Sequence, residues 1–210
     1  MDWTNPGALG VKRLKYLGEA IIGLTYNPSE LCDENEGYLV CRSSNIKEGK
    51  LFLGENVYVK SKVPQELLLR KGDILICSRN GSRDLIGKCA YVDIEREDLT
   101  FGAFTTVFRS KYNQFVFYFL NSSIFKAYSG TFLTSTINQL TTSNLNNFLI
   151  AVPPLPEQEA IAAYLDKVTE KIDQTIRHHQ NQIEKLKEYK QSLINTAVTG
   201  KIKVVPDNIH

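Results

Sequence analysis

Apolar residues in the last quarter of the chain recur at helical spacing. They fall at Ile161, Leu165, Val168, Ile172 and Ile176, then at Ile183, Leu186 and Leu193, with His179 in the same phase between Ile176 and Ile183. Steps of three and four alternate, with one extra step of four from Ile172 to Ile176, which is a heptad seam carrying a stutter. Lys, Glu and Gln fill the other faces, so the pattern predicts one long amphipathic helix over 157–199. The tract before it, 152-VPPLPEQE-159, cannot lie inside a helix, and its acidic end suits a helix N-terminus. The expected arrangement is an extended exit with the helix starting after Pro156, and Gly200 is the stop signal. Such a helix measures roughly 65 Å at about 1.5 Å per residue. A domain made of the preceding residues has an expected radius of gyration of roughly 15 Å, too small to cover the whole seam. The seam therefore needs a partner, either the same helix of a second chain or another protein.

The pattern over residues 1–150 is of a different kind, with short runs broken by turn residues. Val11–Leu17, Tyr38–Cys41, Asn56–Lys60, Ile74–Cys77, Lys88–Ile94, Ala103–Phe108 and Phe148–Val152 read as extended, and Gln65–Leu69 as one helical turn. Between two of these runs lies 78-SRNGSRDLIGK-88, whose Asn80-Gly81 pair predicts a hairpin with a polar, basic tip. Residues 112–129 are aromatic-rich and long enough for one core-facing helix or two short ones. Residues 131–150 are rich in capping Ser, Thr and Asn, which predicts short helical turns. The fold class expected is α+β: a globular mixed α/β domain over 1–152, then a proline linker, a long coiled-coil helix and a short tail over 153–210.

Composition adds mainly exclusions. The 210 residues carry a net charge of only +2, and the small basic excess lies before residue 151. A weak overall charge does not argue against a local basic patch. No apolar run is long enough to span a bilayer and no signal-peptide core opens the chain, so no membrane association and a cytoplasmic location are expected. Cys32, Cys41, Cys77 and Cys89 form no CxxC pair and the three histidines are not at ligand spacing with them. They read as free thiols, with no metal site expected. There is no glycine-rich nucleotide loop, no triad-like context and no carboxylate cluster at nuclease spacing. Neither a cofactor nor catalysis by this chain is expected.

The candidate chemistry is basic and polar. Arg79, Arg83 and Lys88 can neutralise phosphates, Asn80 and Ser82 offer side-chain hydrogen bonds, and Gly81 lets backbone approach closely. A second cluster holds Arg42, Ser43, Asn45 and Lys47, and a third is Arg109 with Lys111. These residue types contact DNA phosphates and base edges, and they also occur in any solvated loop.

Several segments together resemble the specificity (S) subunits of Type I restriction–modification systems. They are 17-LGEAIIGLTY-26, 39-LVCRSSNIKEGKL-51, 71-KGDILICSRNGSRDLIGK-88, 135-STINQLTTSNLNN-147, 151-AVPPLPEQEAIAAYLD-166 and 187-KEYKQSLINTAVTGKI-202. The resemblance implies a target recognition domain that reads one half of a split site in double-stranded DNA. It also implies a helical region that spaces such domains and docks methyltransferase (M) subunits, with a motor-nuclease (R) subunit joining through the complex. The chain itself would be non-catalytic. The family typically carries two recognition domains and two helical regions per chain, and this sequence carries one of each. An antiparallel homodimer would restore the arrangement; a fragment of a longer chain would not need to. The resemblance also implies that base-reading residues lie in the less family-like stretches 24–36, 55–70 and 105–134. The alternative reading is a coiled-coil adaptor protein without DNA specificity.

Overall fold

A computed structural model describes residues 10–34, 36–54, 56–130, 138–202 and 204. Among them run β1 (Gly10–Arg13), β2 (Glu19–Ile22), β3 (Leu31–Cys32), β4 (Tyr38–Cys41), β5 (Ile46–Lys47), β6 (Lys50–Leu51), β7 (Tyr58–Val59), β8 (Ile74–Cys77), β9 (Cys89–Tyr91), β10 (Leu99–Phe101) and β11 (Thr105–Arg109). They are followed by α1 (Asn113–Leu120), α2 (Ser123–Gly130), α3 (Thr142–Asn147), β12 (Leu149–Val152) and α4 (Leu155–Val198). This is the mixed α/β domain and long C-terminal helix that the sequence predicts. The chain divides into two compact units, Met1–Ala162 and Ala163–His210.

The first unit is built around a six-stranded sheet of order β2-β11-β8-β9-β6-β5. Strand β8 reads Ile-Leu-Ile-Cys, and all four side chains are fully buried. An uninterrupted apolar run of this kind suits a strand covered on both faces. It pairs antiparallel with β9 and β11 on its two edges. A second sheet, β10-β4-β7-β3, and a small ribbon, β1-β12, complete the unit. The core draws Leu39, Phe101, Phe108, Phe125 and Phe148 from both large sheets, α2 and the end of α3 into one cluster. Helix α1 packs against β9. There Phe117 meets Tyr91 edge-on at 5.6 Å.

Several expectations shift at their boundaries. The extended run expected over Val11–Leu17 ends at Arg13; Leu14–Tyr16 is a 3-10 turn, because Leu14 turns inward to full burial and donates its N–H to Phe148. Only Tyr58–Val59 of the alternating Asn56–Lys60 run join a ladder. The aromatic segment forms two helices. Asn121 ends the first by bonding its side chain back to the Phe117 carbonyl at 2.9 Å and to Cys89 Sγ at 3.1 Å. Helix α4 begins at Leu155, ahead of Pro156, where a proline's missing N–H has no intrahelical partner to lose. The Pro154 carbonyl accepts from the Glu157 and Gln158 amides, and Gln158 Nε2 bonds the Pro153 carbonyl at 2.8 Å. The expectation for residues 131–137 lies outside the described residues.

Asp73, at the entrance to β8, is 2 % exposed and forms a fork-to-fork pair with Arg109 at the end of β11. Arg109 donates from Nε to Oδ1 at 2.9 Å and from a terminal nitrogen to Oδ2 at 2.7 Å. Its remaining donors reach the carbonyls of Glu66 and Leu68. The Asp73 carboxylate thereby holds the Arg109 guanidinium more firmly protonated than usual. Asp73→Ala is expected to destabilise the first unit by about 3 kcal/mol, since it strands a largely buried cation. Urea denaturation checks this, and a loss below about 1 kcal/mol would show the pair to behave like an exposed one.

Candidate nucleic-acid interface

The loop leaving β8 is held against the loop leaving β4. Asn80 Nδ2 donates to Ser43 Oγ at 3.0 Å, and Asn80 Oδ1 accepts from the Ser82 amide at 2.9 Å. One side chain therefore shapes its own turn and joins the two polar clusters. Arg79 is exposed. Its amide bonds the Phe104 carbonyl at 2.9 Å, and its guanidinium lies over the Phe104 ring at 5.3 Å. Gln139 pairs with Arg79 as an isolated bridge, and Asn138 Nδ2 bonds the Gly81 carbonyl at 3.1 Å. Arg83 starts a 3-10 turn and donates to the Gly130 carbonyl at 2.9 Å. Gly87 then takes a left-handed φ of 81°, which lets the chain re-enter β9. The loop is thus a fixed, cation-bearing surface.

The structure brings Arg42, Ser43, Arg79 and Asn80 together, with Ser82 and Arg83 exposed on the same loop. Lys88 is half-buried at the foot of the hairpin, and Lys47 is exposed on β5 with its ammonium 3.5 Å from the Phe52 ring centre. Two residues grouped with the DNA contacts are corrected by their surroundings. Asn45 is fully buried, with its side chain bonded to the Arg42 amide and the Phe52 carbonyl. Arg109 is engaged with Asp73 as described above. Lys111 is exposed, but lines a separate depression with Arg70, Lys71 and Arg109 at the opposite end of β8. Phe104, which the sequence places within the extended run Ala103–Phe108, lies instead in the turn between β10 and β11 and is 60 % exposed.

A cleft of about 630 Å³ opens beside this cluster, with Arg42, Ser43, Ser44 and Phe104 among its lining residues. The cysteines take no part in it. Burial pushes the thiols of Cys41 and Cys89 up to about 12 and that of Cys77 up to about 11, so all three stay protonated at neutral pH. Among the described residues, no group of three His, Cys, Asp or Glu is placed to hold a metal ion.

On α4 the seam residues lie open or half-open. Ile161, Leu165 and Val168 are half-buried, while Ile172, Ile176, Ile183, Leu186 and Leu193 are exposed. His179 is exposed, its Nδ1 3.0 Å from Gln182 Oε1. Tyr189 is also exposed and fills the gap the sequence pattern leaves between Leu186 and Leu193. No helix among the described residues is long and apolar enough to cross a membrane.

Comparison with known proteins agrees with this architecture. Residues 7–185 match the family model for the Type I restriction modification DNA specificity domain. The chain is 30 % identical over 189 residues to the Type I restriction enzyme EcoKI specificity subunit of Escherichia coli K12, covering 87 % of this chain and 40 % of that one. It is 27 % identical over 197 residues to the StySPI specificity subunit of Salmonella potsdam, covering 90 % and 42 %. The chain thus spans less than half the length of these curated relatives. Its fold resembles a chain of the type I R-M system solved for complex assembly and conformational transition (TM-score 0.73, 21 % identity, 93 % of this chain and 47 % of that one). It also resembles the HsdS subunit from Thermoanaerobacter tengcongensis (TM-score 0.64, 20 % identity, 96 % and 47 %). With the match running through the basic hairpin and most of α4, the chain belongs to the Type I restriction–modification DNA specificity domain family.

Proposed function

We propose that this protein is a DNA sequence-recognition subunit of a Type I restriction–modification complex, each copy reading one half of a bipartite duplex target. The observation that carries the reading is the fixed surface of Arg42, Ser43, Arg79, Asn80, Ser82 and Arg83 on a chain of this family. Guanidinium groups on a preformed loop suit phosphate contacts, which position a protein on the duplex, while amide and hydroxyl side chains can reach base edges. The first unit, with the domain reading 1–152, acts as the recognition module. The segment 153–210 acts as spacer and docking arm for methyltransferase (M) subunits. Methylation and cleavage belong to those partners and to a motor-nuclease (R) subunit, and this chain is non-catalytic and cytoplasmic.

The exposed seam supports pairing with a second copy. Self-association of one helix about a twofold axis gives an isologous interface, and recognition modules at opposite ends require the helices to run antiparallel. The target of such a homodimer is two inverted half-sites separated by an unread spacer, with the arm setting the separation. The 44 residues of α4 give about 66 Å of helix for that purpose.

Two expected outcomes test this. Base-resolution methylation mapping, in host cells that carry the methyltransferase, should show loss of methylation at a split site with inverted half-sites when this gene is removed. An asymmetric split site would retain DNA specificity but overturn the homodimer, and no change at all would favour an adaptor without DNA specificity. The double variant Ile172→Glu with Leu186→Glu places two carboxylates per chain in the seam, where burying an unpaired charge costs several kcal/mol. Light scattering should then record the mass of one chain in place of two; an unchanged dimer mass would sink the seam as the pairing surface.

A further inference from the structure

Two residues that line the cleft beside Arg79 carry polar atoms that nothing among the described residues satisfies. Arg42 Nε and Ser44 Oγ are both shielded from solvent and have no hydrogen-bond partner among the described residues. An unpaired buried donor is unfavourable, and native structures leave few of them. Both residues line the same cleft, with Leu24, Tyr26, Ser43 and Phe104. Among the described residues no carboxylate lines it, so an electron-rich ligand meets donors there.

Phe104 forms one wall, and its backbone is unusually well held for a turn residue. Its carbonyl accepts from the Ser78 amide at 3.1 Å, the Ser78 hydroxyl at 3.1 Å and the Arg79 amide at 2.9 Å. The same turn is tied to the neighbouring strand by the Ala103 amide on the Leu24 carbonyl at 2.9 Å, and closed by Thr105 Oγ1 on the Gly102 carbonyl at 2.8 Å. A largely exposed ring on a fixed backbone presents a flat apolar face with little ordering left to do on binding. The guanidinium of Arg79 flanks that face. An aromatic face, the flanking Arg79 guanidinium and the lining Arg42, whose Nε has no partner among the described residues, match the needs of a nucleotide. Its base stacks on aromatic rings and its acceptors take Arg donors. The cleft volume lies within the range of sites that hold small ligands.

We propose that this cleft takes one unstacked nucleotide of the bound duplex, its base against Phe104 and an acceptor on Arg42, so that Phe104 acts as a wedge within the half-site. The proposal rests on the DNA-recognition reading above. Unstacking a step costs a few kcal/mol, and stacking on one aromatic ring returns roughly 1–3, which limits the device to a single nucleotide.

The test uses the full chain with its methyltransferase and duplexes carrying the site found by methylation mapping. Each adenine of a half-site is replaced in turn by 2-aminopurine and each cytosine by pyrrolocytosine, so that every base pair carries a fluorescent reporter on one strand. Binding of the unaltered protein should brighten one position in the half-site. Phe104→Ala should abolish that signal and weaken binding roughly 5- to 150-fold. Arg83→Ala should weaken binding and lower the salt slope by about one unit while leaving the signal in place. If every bright position survives Phe104→Ala, the signal belongs to base extrusion by the methyltransferase and the wedge is overturned, as it is by the absence of any bright position on a duplex that binds. A complex that binds no duplex at all, with Arg83→Ala indifferent, overturns the recognition reading itself. Since Phe104 is exposed, unchanged circular dichroism is expected for Phe104→Ala.

Discussion

Strand β8 is the constraint on which the rest of the first unit depends. Four consecutive fully buried side chains require cover on both faces and pairing on both edges, which places β9 and β11 beside it and the remaining strands around them. The two ends of that strand then meet different fates. At the entrance, Asp73 is drawn inside with the strand, and its side chain is satisfied there by Arg109 and the Arg70 amide. At the exit, Ser78 locks the Phe104 carbonyl, and the chain emerges as the basic loop. The stability hub and the candidate interface are opposite ends of one buried element.

This arrangement explains why the interface is preformed. The loop is fastened by Asn80 to Ser43, by Arg79 to Gln139 and by Arg83 to Gly130, so three separate segments hold it. A surface fastened this way presents its donors at fixed positions, and phosphate or base contacts then require little further ordering. Of the five buried side-chain atoms without a partner among the described residues, Arg42 Nε and Ser44 Oγ belong to residues that line the cleft, while Asn113, Asn146 and Gln158 carry the others. The pairing of those two residues with the exposed Phe104 ring, more than the count of basic residues, distinguishes this surface from an ordinary solvated loop.

Helix α4 obeys a simpler logic. Its seam is written in spacing alone, and among the described residues Ile172, Ile183 and Leu186 are exposed. A seam of this length exposed to water favours association. The proline tract before it acts less as an extended linker than as a cap. Pro154 accepts the first helical bonds and Pro156 fits the first turn, so the helix starts at Leu155, and its opening turns, which belong to the first unit, bury Gln158 and Ala162.

The sequence by itself determined the features that depend on local periodicity and turn chemistry. The heptad seam, the hairpin around Asn80-Gly81, the buried run of β8 and the change of architecture near the prolines are each encoded within a few tens of residues. Tertiary structure alone decided which polar side chains lose their water. Asn45 and Arg109 carry the same chemistry as Asn80 and Arg83, but the first pair satisfies buried backbone and a buried carboxylate, while Asn80 is half-buried, fastening one surface loop to another, and Arg83 is exposed. A guanidinium or amide binds a carbonyl, a carboxylate or a phosphate with the same donors, so residue type cannot separate these roles. Phe104 shows the converse, since an aromatic within the β-rich run Ala103–Phe108 reads as core. Its exposure follows from the three hydrogen bonds that turn its carbonyl inward toward Ser78 and Arg79, partners 25 and 26 residues away in the chain.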